Sequence, residues 1–212
     1  MSGVRIPSDP HFAALRVIYF MNVLFLTRRF YPDIGGVEKH VLEVSKELVK
    51  RGHEVTVITE NSFSLKLRGV NTYHSEDQSD TYSINSNKAV KSIQIDHSEL
   101  KKIKVLRLNF GKENSFKKFR VWLRLLRHTD TIKKSSVVHC HDVFFWYLPF
   151  RFLFPFKKVF TTFHGYETIF PPSTKARLLR KISEKLSYGN ICIGDFIKKW
   201  YGTKPDYVTY GG

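Results

Sequence analysis

The chain has 212 residues, 42% of them hydrophobic and 15% aromatic, with only 12 Gly and 8 Pro. That composition excludes a disordered, collagen-like or low-complexity chain, and the length allows a core without disulfides or metal. Lys and Arg number 35 against 19 Asp and Glu, and the formal charge of +16 turns the surface toward anionic partners such as nucleic acid, anionic lipid or phosphorylated substrates. Two cysteines, Cys140 and Cys192, stand far apart in apolar surroundings. They write neither a disulfide framework nor a C-x-x-C metal site, and fit a reducing cytosol.

Met1 to Phe20 holds an apolar stretch but no proper cationic region or small-residue cleavage site, so it does not read as a signal peptide. Val4-Arg5-Ile6-Pro7 is what the T-loop of a tRNA gene spells when translated, which suggests a mis-called start with Met21 as the first residue. The alternative is a disordered tail, and both readings leave residues 1–20 as an extension outside the fold. From Met21 short apolar runs alternate with amphipathic stretches, the signature of βα units around a parallel sheet. Asn22 to Thr27 reads as a strand and Arg28 to Gly35 as a turn-rich loop. Val37, Val41, Val44 and Leu48 mark a helix that Gly52 stops, and Glu54 to Thr59 is the next strand.

Asn61 to Lys91, rich in Ser, Asn and Asp, reads as a long surface loop. Further strands are expected at Ile103 to Leu108, Ser136 to Cys140, Lys158 to Phe163, Asn190 to Ile193 and Tyr207 to Tyr210. Helices are expected at Phe116 to Lys133, Val143 to Phe154, Lys175 to Tyr188 and Phe196 to Tyr201. The order implies one doubly wound α/β sheet, Rossmann-like, with helices on both faces. Ligands of such sheets sit beyond the carboxyl ends of the strands, so the loops after Thr27, His141 and Phe163 converge on the functional edge. No segment reaches the roughly 18 uninterrupted apolar residues of a membrane-spanning helix, since Val143 to Phe156 carries Arg151, Pro149 and Pro155.

Three motifs stand at that edge. Gly35-Gly36 precedes a helix, where free N–H groups and the helix dipole favour phosphate, although such a pair also serves as a plain tight connection. His139-Cys140-His141-Asp142 ends a strand, and alternation places His139 and His141 on one face. A zinc pair is one reading of them, but no third ligand stands at a metal-typical spacing. The other reading makes His139 a hydrogen-bonded core residue with His141 and Asp142 at the edge. Thr161-Thr162-Phe163-His164-Gly165-Tyr166-Glu167 ends another strand, and Gly165 permits a sharp turn exposing His164. No G-x-S-x-G elbow supports a Ser-His-Asp triad.

The run from Asn22 to Thr59, followed in order by VVHCHD, VFTTFHGYE and ICIGDFIKKWYG, resembles the family-4 glycosyltransferases, retaining enzymes of the GT-B fold. The resemblance implies an amino-terminal, acceptor-side domain over residues 21–212, one half of such an enzyme. It implies that Gly35 and Gly36 face the diphosphate of a nucleotide-sugar donor and that His164, as the catalytic residue, lies near the transferred sugar. His141 and Asp142 match an edge near a glycan or lipid-linked acceptor, and Arg28, Arg29, Tyr31, Lys39 and His40 line the same cleft. Neither metal nor other cofactor is implied, because the leaving phosphate helps to deprotonate the acceptor hydroxyl. The family's carboxy-terminal donor domain, with its paired glutamates and Arg/Lys pair, would be absent from a chain ending at Gly211-Gly212. A fragment, a truncated gene or one subunit of a split enzyme is expected, nearly inactive until a donor domain joins in cis or in trans.

Phe116, Phe119, Trp122, Leu123 and Leu126 share one side of the basic helix with Lys117, Lys118, Arg120, Arg124 and Arg127 around them. An ordinary core-facing helix with a solvated basic face is expected; the other reading is a helix lying on an anionic membrane surface. The expected location is cytoplasmic, with peripheral attachment at the inner face of the membrane as the second option. Two competing functions are a catalytically dead scaffold or regulatory half-domain and a basic nucleic-acid-binding module. Against the last, no nucleic-acid motif occurs and the basic residues are spread over several elements, so no nucleic acid is expected as a partner.

Overall fold

The computed structural model describes residues 20–33, 35–61, 101–165 and 171–210. Outside the described residues lie the expected extension up to residue 19, the expected loop beyond Asn61, Tyr166 and Glu167 of the third motif, and the final two glycines. The described strands are β1 (Asn22–Thr27), β2 (Glu54–Glu60), β3 (Ile103–Leu108), β4 (Val137–His141), β5 (Lys158–Phe163), β6 (Gly189–Ile193) and β7 (Tyr207–Thr209). They form one sheet in the order β3-β2-β1-β4-β5-β6-β7, every pair parallel. This is the doubly wound α/β sheet expected. Its order reverses between β1 and β4, and that switch point opens a crevice beyond their carboxyl ends.

β1 reads as a continuous apolar run because both of its faces are covered. Leu24, Leu26, Val138, Cys140 and Val159 face one side and pack on Val121, Leu125, Ile132, Tyr147 and Phe150. Those five belong to α2 (Lys117–Leu126), α3 (Thr129–Lys134) and α4 (Phe144–Leu153). Val23, Phe25, Val55 and Val57 face the other side, where Val41 and Leu42 of α1 (Gly36–Lys50) and the loop residue Phe30 close over them. Phe163 and Cys192 pack on Ala176 of α5 (Thr174–Leu186) and on Ile197 and Tyr201 of α6 (Phe196–Tyr201).

α1 stops as its sequence predicts. Gly52 takes φ +84°, its N–H donates to Val49 O at 2.9 Å, and the N–H of His53 donates to Leu48 O at 3.0 Å. These two bonds make a Schellman cap that a residue with a Cβ would strain.

The single helix expected from Phe116 to Lys133 is instead two. The Thr129 hydroxyl donates to Leu126 O at 2.6 Å, and the N–H of His128 reaches back only three residues, to Leu125 O at 2.9 Å. A side-chain donor thus takes a carbonyl the helix would use to continue, and the chain turns so that Ile132 is fully buried. The expected core-facing side is also corrected. α2 buries Lys117, Val121 and Leu125, while Phe116, Phe119, Leu123 and Leu126 are exposed.

α4 carries Pro149 in its interior, which removes the N–H that would bond Phe145 O. The indole N–H of Trp122 donates to that carbonyl at 2.9 Å, and the Trp122 and Phe145 rings stack at 5.0 Å. One contact therefore satisfies the proline's orphaned acceptor and locks α2 to α4. Among the described residues no helix is long and apolar enough to cross a membrane.

Candidate functional site

The sheet register sets Thr27 beside His141 and His141 beside Thr162, so the ends of β1, β4 and β5 meet at the switch point. Strand alternation turns His139 and His141 together toward the α1 face, as expected, and their rings stack at 4.4 Å against Phe25. His139 Nε2 lies 2.7 Å from the Thr162 hydroxyl, which makes it the hydrogen-bonded core residue of the second reading. His141 is only 1% exposed, and its Nδ1 lies 2.8 Å from Nε2 of His164, the first residue after β5. From above, α1 lowers His40 onto the pair, its ring centroid 5.8 Å from that of His141 and 5.2 Å from that of His164. Sequence spacing offered no third partner for the β4 histidines; the fold supplies His40 and His164 from elements far away in the chain.

The backbone of the site is held by Asp142. It takes φ 57°, a left-handed conformation that Asp tolerates, and its carboxylate accepts the His164 N–H at 3.1 and 3.2 Å. Gly165, expected to make the sharp turn, has no positive φ, and His164 is only partly exposed, so the left-handed residue at this edge is Asp142. Arg180 of α5, which sequence reasoning missed, is 4% exposed. Its Nη2 donates to Gly165 O at 2.9 Å, lies 3.7 Å from Asp142, and its guanidinium packs 3.8 Å over the Tyr201 ring. In sequence it is one more basic residue on a basic helix, and nothing in the pattern separates it from its solvated neighbours.

Burial governs the electrostatics. It pushes the His139 imidazole down to about 3 and that of His164 to about 4, with positive neighbours adding smaller effects: His40 and His164 on the first, His40 and Arg180 on the second. Burial first, then the adjacent histidines, holds His141 well below its ordinary value, and burial lowers His40. At neutral pH the site is therefore a row of uncharged imidazoles, each with one N–H and one lone pair. The thiols are inert: burial pushes Cys140 far up and Cys192 to about 11.

Gly35 caps α1 in an extended conformation that any residue adopts, and a Cβ there would meet only the flexible carboxylate of Glu38. Around Gly36 no described residue outside its own turn of helix lies within 4 Å of where a Cβ would stand, which leaves the helix start open on that side. The loop between them and β1 is pinned by the Thr27 hydroxyl on Arg29 O, the Thr59 hydroxyl on Arg28 O and the Arg107 guanidinium on Tyr31 O. The Arg28 and Arg29 side chains are exposed, and the charge of Arg28 acts on Glu113. Tyr31 packs against the core under α1, and Lys39 is exposed on α1. The structure thus joins His40, His141, Asp142 and His164 in one cluster beside Gly36, while among the described residues no hydrogen bond or ring contact ties the side chains of Arg28, Arg29, Tyr31 or Lys39 to it.

Among curated proteins, one of the human subunits of phosphatidylinositol N-acetylglucosaminyltransferase is 42% identical over 38 residues, which are 18% of this chain and 8% of that protein. The yeast GPI3 subunit of the same enzyme, from Saccharomyces cerevisiae S288c, is 45% identical over 38 residues, again 18% and 8% of the two chains. Among solved structures, a glycosyltransferase from Rickettsia africae superimposes with a TM-score of 0.55 at 17% identity, covering 91% of this chain and 42% of that one. A UDP-N-acetylglucosamine 2-epimerase from Rickettsia bellii does so with a TM-score of 0.53 at 11% identity, covering 91% and 45%. The chain thus spans less than half the length of these structures. One fold shared by a transferase and an epimerase leaves the activity open, and the sequence decides the family. The profile of Glycosyltransferase Family 4 matches residues 34–203, most of the chain and both ends of the histidine cluster, so the chain belongs to glycosyltransferase family 4.

Proposed function

We propose that this domain is the acceptor-side half of a retaining glycosyltransferase that moves a hexose-type sugar from a nucleotide-sugar to a lipid-linked or glycan hydroxyl. The observation that carries the reading is the uncharged histidine cluster at the switch point, set beside the open start of α1. Sugar transfer passes through an oxocarbenium-like state with positive charge near the anomeric carbon. A neutral His164 accepts a hydrogen bond from a sugar hydroxyl without repelling that charge, whereas an imidazolium would oppose it. The α1 N-terminus offers backbone N–H groups to the donor diphosphate, and Gly36 lets the phosphate approach closely.

In this reading the bond from the anomeric carbon to the diphosphate breaks as the acceptor oxygen bonds to the same face. The acceptor proton passes to the leaving phosphate oxygen, so the protein positions and stabilises without metal or other cofactor. The donor-binding residues of the opposite wall belong to a second domain, in cis or in trans.

The exposed stripe of Phe116, Phe119, Leu123 and Leu126, bordered by the exposed Arg124 and Arg127, supports a peripheral seat on an anionic membrane. A lipid-linked acceptor fits such a seat, and the curated relatives carry phosphatidylinositol in their names.

The test joins this domain to the donor-binding half of a family member and supplies radiolabelled UDP-N-acetylglucosamine with phosphatidylinositol vesicles first, then a panel of other nucleotide-sugars and acceptors. Label in a lipid or glycan product supports the reading. A folded two-domain protein that transfers from no donor in the panel overturns it.

A further inference from the structure

We propose that His40, His141 and His164 form a binding site for a borderline transition-metal dication of the Zn2+, Co2+ or Ni2+ class. One ring nitrogen of each lies within 4.8 Å of the others. Tetrahedral zinc with nitrogen ligands at 2.0–2.1 Å sets those nitrogens about 3.3 Å apart. The His141–His164 pair, now at 2.8 Å, opens by about 0.5 Å, and the widest pair closes by at most about 1.5 Å. Side-chain rotation of the half-buried His40 supplies most of that closure, since the other two rings are held on strand ends.

The donor set selects the metal. Three imidazoles without a carboxylate suit zinc, cobalt, nickel or copper and offer nothing to Mg2+ or Ca2+, which require oxygen. Asp142, the carboxylate that follows His141, is engaged by the His164 N–H and lies 3.7 Å from Arg180. The outer support for such a site is already in place. Asp142 fixes the His164 backbone, and His139, bonded to Thr162, stacks beneath His141.

The second ring nitrogen of His141 is buried and bonds to nothing among the described residues, so no core hydrogen bond dictates the tautomer of this ring. When metal replaces the hydrogen bond between His141 and His164, both rings turn lone pairs to it and carry their protons on the remote nitrogens. Three protein ligands leave the fourth position for water or an anion on the side where His40 and His164 are partly exposed. This site is read without any sugar substrate, so its failure leaves the transferase reading standing, and the reverse also holds.

The test titrates the EDTA-stripped chain with Co2+ followed by visible absorption, then displaces it with Zn2+, and measures Zn2+ binding by calorimetry. One equivalent of tetrahedral Co2+, displaced by Zn2+ and not by Mg2+, is expected, with a raised unfolding midpoint because the metal ties α1 to the sheet. His40→Gln and His164→Gln, each checked for a cooperative unfolding transition, are each expected to weaken binding by more than about tenfold, as loss of even an outer partner can do. His128→Gln, outside the cluster, is expected to bind as wild type. Absence of saturable Co2+ and Zn2+ binding overturns the proposal, as does binding that survives both cluster substitutions or that His128→Gln reduces equally.

Discussion

Acid should unfold this domain earlier than its carboxylates require, and the histidine cluster sets the amount. His139 and His164 titrate near 3 and 4 in the folded chain, against an unfolded value near 6.5. A folded value depressed below the unfolded one means that the unfolded chain binds more protons, so stability rises with pH and is lost as pH falls below about 6.5. For one such histidine, acidification from pH 6.5 to pH 5 removes roughly 1–2 kcal/mol. The two together remove on the order of 2–3 kcal/mol, a substantial share of the 5–15 kcal/mol typical of a domain. His40 and His141, lowered by the same burial, push in the same direction. The window matters because Asp and Glu in an unfolded chain titrate near 4 and contribute little above pH 5. Urea denaturation at pH 6.5, 6.0, 5.5 and 5.0 measures the slope, and His164→Gln should remove about one proton's share of it. A midpoint that stays constant from pH 6.5 to 5.0, or that rises on acidification, refutes the burial argument.

Tyr147 is fully buried with a hydroxyl that no described residue bonds, so Tyr147→Phe should leave stability unchanged or raise it by up to about 1 kcal/mol in thermal unfolding. Trp122→Phe keeps an aromatic ring but strands Phe145 O, the carbonyl freed by Pro149. A loss of about 1–3 kcal/mol is expected by chemical denaturation, and no loss would show that another donor takes that carbonyl. Because His164 belongs to both proposed sites, micromolar Zn2+ should inhibit transfer by a two-domain enzyme and EDTA should restore it. Undiminished turnover at saturating Zn2+ would separate the two sites.

The sheet was legible because parallel strands buried on both faces read as short runs of apolar and β-branched residues: NVLFLT and KVFTTF mark β1 and β5 to the residue. The end of α1 was legible for a local reason as well, since the Gly52 cap involves only residues three to five apart. The break between α2 and α3 was not, because the bond from Thr129 to Leu126 O competes with a helix whose apolar period runs straight through it. The exposed side of α2 was hidden for a related reason. Two apolar stripes share that helix, and periodicity does not say which one the core takes. At the site, alternation placed His139 and His141 on one face, but their partners came from topology. His40 stands about a hundred residues before His141, and only the switch between β1 and β4 brings them together. Arg180 had no signal, because a buried guanidinium and a solvated one are the same letter in a basic amphipathic helix.

The most direct test of the account is His164→Ala in a two-domain enzyme containing this domain, with steady-state kinetics and chemical denaturation measured on the same protein. The account predicts that kcat/KM falls by roughly ten- to a thousandfold, about 1.4 to 4 kcal/mol of transition-state stabilisation. Stability should fall by no more than about 1–2 kcal/mol, the cost of leaving His141 Nδ1 without its partner. Unchanged kinetics per folded molecule, with the unfolding midpoint lowered, would contradict it and make His164 a structural residue of the sheet edge.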